Sequence, residues 1–347
     1  MLKVGICGHF GGNHNFLDGQ TIKVKSLTEA IKDNIGEHNV LCVDTYNWKK
    51  RPIRLLRKCF RLARKCKNIV ILPAQNGIKV LVPLFSLINK LFGRKLFYVV
   101  IGGWLPTFLK NYKWLVSWLH HMDGIFVETA SMSEKLIEFG LKNVLVMPNF
   151  RQLRIVDINE LQDTHALPYK LCTFSRVLKE KGIEDAINAV IKVNTDCGRE
   201  VCTLDIYGQI DEKYKDAFWA IMSNVPAYIK YKGEAPYEKA VDVLKDYYLM
   251  LFPTYYEGEG FAGTIIDAFA SGLPVIASDW RYNSEIVQDY KTGRIFRTKD
   301  IKELAEIILY CLEHGDEVME MKKNCIEEAR KYTSGNAIKK LIEVLDN

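Results

Sequence analysis

One stretch of the chain, residues 248–278, predicts a complete crossover unit of a parallel sheet. An apolar run at 248–252 predicts a buried strand, and a glycine-rich loop containing Glu259 follows it. A short helix then carries Asp267, with seven residues between the two acids, and a second apolar strand begins at Pro274. Parallel sheets bind ligands at the carboxyl ends of their strands, and helix N-termini there favour phosphate. We therefore expect the two carboxylates to face a crevice, where they can accept hydrogen bonds from sugar hydroxyls.

The rest of the chain repeats this alternation and predicts an α/β protein of two domains. Strand-like and helix-like segments alternate over the first half, and the pattern restarts at residue 170 after a polar, non-periodic stretch at 152–167. Such alternation indicates parallel sheets covered by helices on both faces. We expect one domain at 1–165 and a second at 166–330.

Residues 255–278 resemble the acidic signature, Glu-x7-Glu, of the retaining glycosyltransferases of family 4 (glycosyl transferases group 1), which have the GT-B fold. The glycine loop, the helix and the Gly-Leu-Pro-Val-Ile sequence at 272–276 all match. Asp267 departs from the signature, because it keeps the charge of the second Glu but is one methylene shorter. The resemblance implies two Rossmann-like domains that face each other across a cleft, with a C-terminal helix at 331–347 packing back on the first domain.

A second match covers residues 174–182, where Arg176 ends a strand and Lys181 precedes a predicted helix N-terminus. A strand end, two cations and a helix N-terminus suit a diphosphate, although two solvated surface cations would give the same pattern. By resemblance, Arg176 and Lys181 would hold the nucleotide diphosphate and stabilise its charge as it leaves. Glu259 would hydrogen-bond the transferred sugar, and Asp267 would hold the ribose hydroxyls.

Loop residues near these positions are further donor-binding candidates. By resemblance, their backbone would face the phosphates or wrap the nucleotide base, and a tight strand–helix turn is the alternative for the first glycine loop. These residues are Gly260, Phe261, Ala262, Gly263, Gly208, Glu234, Gly11 and Gly12.

The acceptor side is less well marked. Many family members place a histidine after the strand that here ends at residue 101, but this chain has Gly102 and Gly103 instead. Backbone or Trp104 would then supply the sugar contact. The acceptor-side candidates are His9, Gly103, Trp104 and Glu128.

We predict neither a cofactor nor a metal. The sequence has no Asp-x-Asp triplet of the kind that holds a divalent cation on a diphosphate, so the two cations near residue 180 would take over that charge. Its nine cysteines lack metal-binding spacing and several lie in apolar runs, which favours reduced, buried thiols in a cytoplasmic protein.

The charge is unevenly distributed. Residues 1–165 hold 24 Lys/Arg and 12 Asp/Glu, and between Lys49 and Lys67 there are ten cations and no acid. Apolar residues recur there at helical spacing, so we predict an interfacial helix for an anionic membrane surface; an ordinary domain helix is the alternative. Nucleic acid is not expected, because no recognition motif accompanies the charge. The spaced apolar residues are Ile53, Leu56, Phe60 and Ala63.

We therefore expect an enzyme that moves a hexose-type sugar from a nucleotide-diphosphate sugar, with UDP favoured, to a lipid-linked or oligosaccharide acceptor with retention of configuration. The setting would be bacterial surface polysaccharide biosynthesis. The chain opens on a strand without a signal peptide, and no apolar run is long enough for a membrane span, so we expect a cytoplasmic protein at the inner face of the plasma membrane.

Three alternatives remain open. The first is a GT-B sugar-nucleotide epimerase, and the second is a non-catalytic GT-B partner subunit. The third is a Rossmann oxidoreductase, for which Asp44 could bind a ribose, but the G-x-G-x-x-G fingerprint is absent.

Overall fold

A computed structural model of the protein describes residues 1–12, 14, 19–152, 154–161 and 167–346. The chain forms two compact units: unit 1 consists of Met1–Phe150 and Ser334–Asn347, and unit 2 of Arg151–Thr333. The sequence suggested a boundary at residue 165 because 152–167 is polar. Part of that stretch packs within unit 2, since Val156 donates its N–H to the Ala270 carbonyl at 2.9 Å. The part at 162–166 lies outside the described residues.

Unit 1 is built on a parallel sheet whose order, in the part of the chain described, is β2-β1-β3-β4-β5-β6. Its strands are β1 (Leu2–Gly8), β2 (Val40–Asp44), β3 (Cys66–Leu72), β4 (Lys95–Val99), β5 (Gly124–Val127) and β6 (Val144–Val146). Its first six helices are α1 (Gly19–Ile35), α2 (Pro52–Lys65), α3 (Gln75–Phe92), α4 (Leu105–Asn111), α5 (Trp114–Leu119) and α6 (Ala130–Ile137).

Unit 2 contains a second parallel sheet, with the order β12-β11-β10-β7-β8-β9 among its described residues. Its strands are β7 (Tyr169–Phe174), β8 (Cys202–Tyr207), β9 (Ile229–Gly233), β10 (Leu249–Phe252), β11 (Val275–Ser278) and β12 (Gly293–Phe296). Its helices are α7 (Ile183–Asp196), α8 (Lys215–Met222), α9 (Ala240–Leu244), α10 (Gly263–Ala270), α11 (Asn283–Ile286), α12 (Ile301–Glu313) and α13 (Gly315–Ala329). Two parallel sheets with flanking helices confirm the predicted pair of Rossmann-like domains.

The last described residues belong to unit 1. They form α14 (Ser334–Ala337) and α15 (Lys339–Asp346), where the sequence suggested one helix. Ile338 and Leu341 are fully buried in the core of unit 1, and the Asn68 side chain in β3 donates to the Leu345 carbonyl at 3.0 Å. This apolar face anchors the segment.

The strand orders place one switch point in each sheet. In unit 1 the chain moves from β1 to β2 and then returns to the other side of β1 with β3. In unit 2 it moves from β7 through β9 and returns beside β7 with β10. Loops diverge at such points, and the crevice beyond the carboxyl ends of the two strands binds ligands.

Several helix bounds differ from those expected. The basic helix ends at Lys65 instead of residue 67, because β3 begins directly after it. Two short helices follow β4: α4 has Pro106 in its first turn, and α5 begins at Trp114. Among the helices described, none is long and apolar enough to cross a membrane.

Candidate active site

The predicted catalytic residues meet at the switch point of unit 2. β7 and β10 are hydrogen-bonded neighbours, so the loops that follow them leave the same edge of the sheet. Arg176 lies just beyond β7, and Glu259 lies in the loop between β10 and α10. The Thr264 hydroxyl in the first turn of α10 donates to the carbonyl of Phe174, the last residue of β7. This bond holds the start of the acidic helix against the loop that carries Arg176.

Lys181 and Glu259 form a buried ion pair. Lys181 Nζ donates to Glu259 Oε2 at 2.6 Å, and the two residues are only 9% and 6% exposed. Thr254 Oγ1 contacts the same carboxylate oxygen at 2.8 Å. A charge-assisted hydrogen bond of this length in a dry site is strong, and it fixes both side chains. The two residues singled out from separate sequence motifs therefore act on one another.

A glycine makes this approach possible. Gly182 has φ 70°, a left-handed conformation that disfavours side chains, and an ideal Cβ on it would lie 2.1 Å from the Pro253 carbonyl oxygen. The Glu180 carbonyl also accepts a 2.8 Å hydrogen bond from the Tyr255 N–H. The short segment before α7 is thus pressed onto the residues after β10, which brings Lys181 to Glu259.

Arg176 shares an aromatic neighbour with Lys181. The Arg176 guanidinium carbon lies 5.7 Å from the centre of the Tyr256 ring, and Lys181 Nζ lies 5.5 Å from it. Arg176 is exposed, whereas Lys181 is buried. One ring therefore faces two cations, and Arg176 presents its charge at the solvent-exposed edge of the site.

Asp267 is buried beside a cation that the sequence did not single out. It is 3% exposed, and its Oδ1 lies 3.3 Å from Arg151 Nε. Burial raises the pKa of Asp267 to about 6, and the Arg151 charge limits the increase. Arg151 is the first residue of unit 2. In the sequence it is marked only by being a cation directly before the polar stretch at 152–167.

The glycine loop before α10 is closely packed. Phe261 is buried edge-on against Tyr332, with ring centres 4.8 Å apart. An ideal Cβ on Gly263 would lie 2.0 Å from Arg151 Nη2, so the guanidinium covers the first residue of α10. Ala262 caps this helix in an extended conformation, and Gly260 is buried. The predicted phosphate-facing amides therefore lie at a helix start that the Arg151 guanidinium contacts.

The remaining donor-binding candidates of unit 2 follow β8 and β9. Gly208 has φ 134°, and an ideal Cβ on it would lie 1.8 Å from the Ser175 carbonyl oxygen, so its loop packs against the residue before Arg176. Its N–H donates to the Gly233 carbonyl at 2.9 Å. Glu234, which follows, is exposed. Gly208 thus borders the site, while Glu234 lies on the loop beyond it.

In unit 1, the first glycine loop is held by Asp44 at the end of β2. The Asp44 carboxylate accepts from the N–H groups of Phe10 at 2.9 Å and Gly12 at 2.8 Å, and from that of Tyr46 at 2.8 Å. Gly11 and Gly12 have φ 87° and 59°. Asp44 therefore orders the loop through backbone bonds, which removes the support for a ribose-binding acid in a Rossmann oxidoreductase.

The other acceptor-side candidates differ in their surroundings. His9 Nδ1 lies 3.0 Å from Thr21 Oγ1. Trp104 donates its ring N–H to the Ile101 carbonyl at 2.7 Å, and the adjacent Gly103 is buried. Glu128 is 5% exposed and lies 3.6 Å from Lys23 Nζ. Unit 1 therefore keeps Glu128 in a buried charge pair.

The two Rossmann-like sheets agree with the GT-B fold expected from the sequence. A cluster of cations and carboxylates lies at the switch point of unit 2. Residues 160–332, nearly all of unit 2, match the family Glycosyl transferases group 1. This part of the chain belongs to that family of glycosyltransferases.

Curated relatives match about half of the chain. The UDP-N-acetylglucosamine–peptide N-acetylglucosaminyltransferase GtfA subunit of Streptococcus pneumoniae serotype 4 is 31% identical over 177 residues, which are 50% of this chain and 33% of that protein. The amylovoran biosynthesis glycosyltransferase AmsK of Erwinia amylovora is 26% identical over 154 residues, 43% of this chain and 37% of that protein. The match spans about a third of the length of each relative.

Solved structures extend the similarity to the whole fold. The Anabaena protein Alr3699/HepE, crystallised in complex with UDP, superposes with a TM-score of 0.76 at 16% identity, covering 99% of this chain and 100% of that one. At this identity the likeness establishes the fold alone.

Proposed function

We propose that this protein is a retaining glycosyltransferase of family 4 that transfers a hexose-type sugar from a UDP-sugar to a lipid-linked or oligosaccharide acceptor in surface polysaccharide biosynthesis. The observation that carries the proposal is the buried Lys181–Glu259 pair beside exposed Arg176 at the switch point of unit 2. Two cations there suit a departing diphosphate, and the carboxylate suits a sugar hydroxyl. Relatives named for UDP-N-acetylglucosamine transfer and a neighbour crystallised with UDP support the choice of UDP.

In the proposed reaction, the bond between the sugar C1 and the diphosphate oxygen breaks while the acceptor hydroxyl oxygen bonds to C1 on the same face. The acceptor proton passes to the departing phosphate oxygen, so configuration is retained without a protein nucleophile. Arg176 and Lys181 stabilise the charge that develops on the diphosphate, and Glu259 positions the sugar. The chain therefore contributes positioning and charge stabilisation.

The ribose would bind near Asp267. Arg151 Nε contacts Oδ1 of this residue, so we propose the second oxygen, Oδ2, as the acceptor for the ribose hydroxyls. Unit 2 would thus bind the donor, and unit 1 the acceptor. We also propose that no metal is needed, because Arg176 and Lys181 supply the positive charge; transfer that persists in EDTA would support this, and transfer restored only by Mg²⁺ would refute it.

The principal test measures UDP release and product formation with UDP-glucose and UDP-N-acetylglucosamine as donors. Arg176→Ala and Glu259→Gln should each lower kcat by roughly 100–1,000-fold, the usual cost of removing a group that stabilises a transition state. Lys179→Ala is the matched control, because Lys179 is an exposed cation close to Lys181 in sequence. NMR of the product should show the donor's anomeric configuration.

Near-normal turnover in Arg176→Ala or Glu259→Gln would refute the assignment. An inverted anomer would refute retention alone. Release of an epimerised sugar without any acceptor would favour the epimerase, and a folded protein that binds no nucleotide would favour a non-catalytic subunit.

We further propose that the protein binds the anionic inner face of the plasma membrane through α2. Ile53, Leu56 and Phe60 are 66%, 46% and 42% exposed on this helix. Ala63, which the sequence analysis grouped with them, is instead fully buried on the packed face. Phe60 packs edge-on against Phe92 at the end of α3, with ring centres 5.0 Å apart. An exposed apolar stripe among cations is typical of interfacial helices. The ordinary-helix alternative leaves this stripe unexplained.

Vesicle sedimentation tests this surface. The full chain should sediment with vesicles containing phosphatidylglycerol and stay in solution with phosphatidylcholine alone, because the cations recognise anionic headgroups. Ile53→Ser/Phe60→Ser should reduce binding by at least tenfold. The control Ile137→Ser/Trp219→Ser removes an equally exposed aliphatic and aromatic pair elsewhere. Equal losses in both double variants would contradict the proposal.

A further inference from the structure

Unit 1 contains a cavity at its own switch point. Its volume is about 210 Å³, and it lies beyond the carboxyl ends of the adjacent strands β1 and β3, with Gly8 opposite Leu72 in the register. His9 after β1, Thr45 after β2 and Gln75 at the start of α3 line it. At about 30 Å³ per water, the cavity has room for about seven waters, or one sugar ring. Its position is the one at which such sheets bind ligands.

The cavity lining has the chemistry of a sugar subsite. The side-chain amides of Gln20, Gln75 and Asn76 can both donate and accept hydrogen bonds, as a sugar hydroxyl requires. Trp48 supplies an apolar face. His9 is held by Thr21 at 3.0 Å. α3 begins here without a side-chain cap, since the capping residue is an alanine, so its positive end faces the same region.

A basic groove adjoins this cavity. It has a volume of about 710 Å³ and shares Trp48 and Leu55 with the cavity. Arg51, Arg54 and Lys58 line it at the spacing of one helix face. Lys50 and His14 also contribute, and all four Lys and Arg residues are exposed.

Among the described lining residues Asp44 is the one acid, and it offsets only part of this positive charge. Both carboxylate oxygens of Asp44 accept hydrogen bonds from backbone N–H groups, two in the glycine loop and one at Tyr46. A carboxylate held in this way is a structural element of the loop. In the part of the groove that the structure describes, four Lys and Arg side chains stand against one acid, which is a binding environment for an anion of high charge.

We propose that unit 1 binds an acceptor whose sugar is attached to a lipid through a diphosphate, with the sugar in the cavity and the diphosphate in the basic groove. This inference deepens the proposed function and rests on it for the identity of the reaction. A glycosyl diphosphate joins a neutral, hydroxyl-rich group directly to a compact anion, as the cavity and groove do. We choose the lipid-linked form because α2, which lines the groove, also carries the exposed stripe of Ile53, Leu56 and Phe60.

The first experiment measures binding without any donor, so that it does not depend on catalysis. Isothermal titration of the full chain compares one sugar in three forms: linked to farnesyl diphosphate, as the free sugar 1-phosphate, and as an uncharged alkyl glycoside. The farnesyl diphosphate form should bind best. Arg51→Gln/Arg54→Gln should weaken its binding by roughly 10–100-fold, the value of one charge-assisted hydrogen bond, and change alkyl glycoside binding by less than threefold.

Lys95→Gln/Lys142→Gln is the matched control, because both residues are exposed cations of unit 1 at the amino ends of β4 and β6. It should leave all three affinities unchanged. Equal weakening in both double variants, or equal binding of the alkyl glycoside and the diphosphate by the wild type, would overturn the proposal. Tighter binding of the sugar 1-phosphate than of the lipid form would replace the lipid carrier with a soluble phosphosugar.

The second experiment separates this inference from the proposed function. Arg51→Gln/Arg54→Gln should raise the KM for the farnesyl diphosphate acceptor in transfer assays and leave the KM for the UDP-sugar unchanged. A wild type that binds the acceptor but transfers nothing would refute the proposed function and keep the binding site. A wild type that transfers efficiently to the alkyl glycoside alone would refute the site and keep the function.

Discussion

The buried Lys181–Glu259 pair can be tested by removing its charges one at a time. Lys181→Met leaves the Glu259 carboxylate 6% exposed, with Thr254 as its remaining partner. Glu259→Gln leaves the Lys181 ammonium, 9% exposed, beside an amide. The double variant removes both charges and retains most of the side-chain volume. The three variants and the wild type form a double-mutant cycle.

The expected magnitude follows from burial and contact distance. Breaking a buried pair on one side costs about 3–5 kcal/mol, because the remaining charge stays desolvated, whereas replacing both charges is close to neutral. Unit 2 runs from Arg151 to Thr333 and so falls in the size class of about 150–250 residues. A loss of 1 kcal/mol lowers Tm by about 2–4 °C at this size, so each single variant should lose roughly 6–20 °C. The double variant should recover most of that loss.

Thermal unfolding followed by circular dichroism would measure this cycle, with the transition of unit 2 assigned by its response to UDP. All three variants should be catalytically impaired. Recovery of Tm without recovery of activity in the double variant would therefore separate the effect of the pair on stability from its effect on catalysis. Single variants that melt within 2 °C of the wild type would refute the reasoning. A double variant whose loss equals the sum of the single losses would show that the two side chains do not interact.

Two further predictions concern Asp267 and Gly182. Because the pKa of Asp267 is raised from 3.8 to about 6, the folded state binds its proton more tightly than the unfolded state, and stability falls by about 2 kcal/mol as the pH rises from 4 to 7. The amide side chain in the Asp267→Asn variant does not titrate, so the Tm of the variant minus that of the wild type should increase from pH 4 to pH 7, whatever constant cost the substitution adds. A pH-independent difference would contradict the assigned burial. Gly182→Ala should lose stability and activity together, because the added Cβ would meet the Pro253 carbonyl. The control is Gly198→Ala, which has a similar φ of 64° but open space around it and should lower the free energy of unfolding by only about 1 kcal/mol. Equal Tm losses in the two variants would show that the contact with Pro253 has no effect.

The sheets were predictable from the sequence because their signals are local. Buried parallel strands are continuous apolar runs, and each run is followed by a glycine loop or a helix start. The residues 248–278 contain a whole crossover unit, so the relation of Glu259 to a strand and to α10 could be stated in advance. Lys181 could also be placed at a helix start, but its contact with Glu259 depends on β7 and β10 being neighbours. The strand order that makes them so has no local signal.

Arg151 shows where such reasoning stops. It lies far from Asp267 in the chain and belongs to a stretch with no period, so no pattern connects the two residues. Their contact arises because the chain enters unit 2 alongside α10, where Val156 bonds to Ala270. The separation of α4 from α5 is a similar case, since a tight break between short helices leaves little trace in composition.

The two switch points carry different electrostatic arrangements, and the difference bears on how each would bind an anion. In unit 2 two of the cations are paired with buried acids, Lys181 with Glu259 and Arg151 with Asp267. A diphosphate at either of these two cations must share or displace an existing partner, and Arg176 adds one exposed cation at the edge of the site. In the groove of unit 1 all four Lys and Arg side chains are exposed, and the carboxylate of Asp44 accepts hydrogen bonds from backbone N–H groups. Exposed charges are screened over about 8 Å at physiological ionic strength and buried pairs much less. Acceptor binding should therefore weaken with added salt more steeply than donor binding, because the groove relies on four exposed cations and the donor site on exposed Arg176 and buried Lys181.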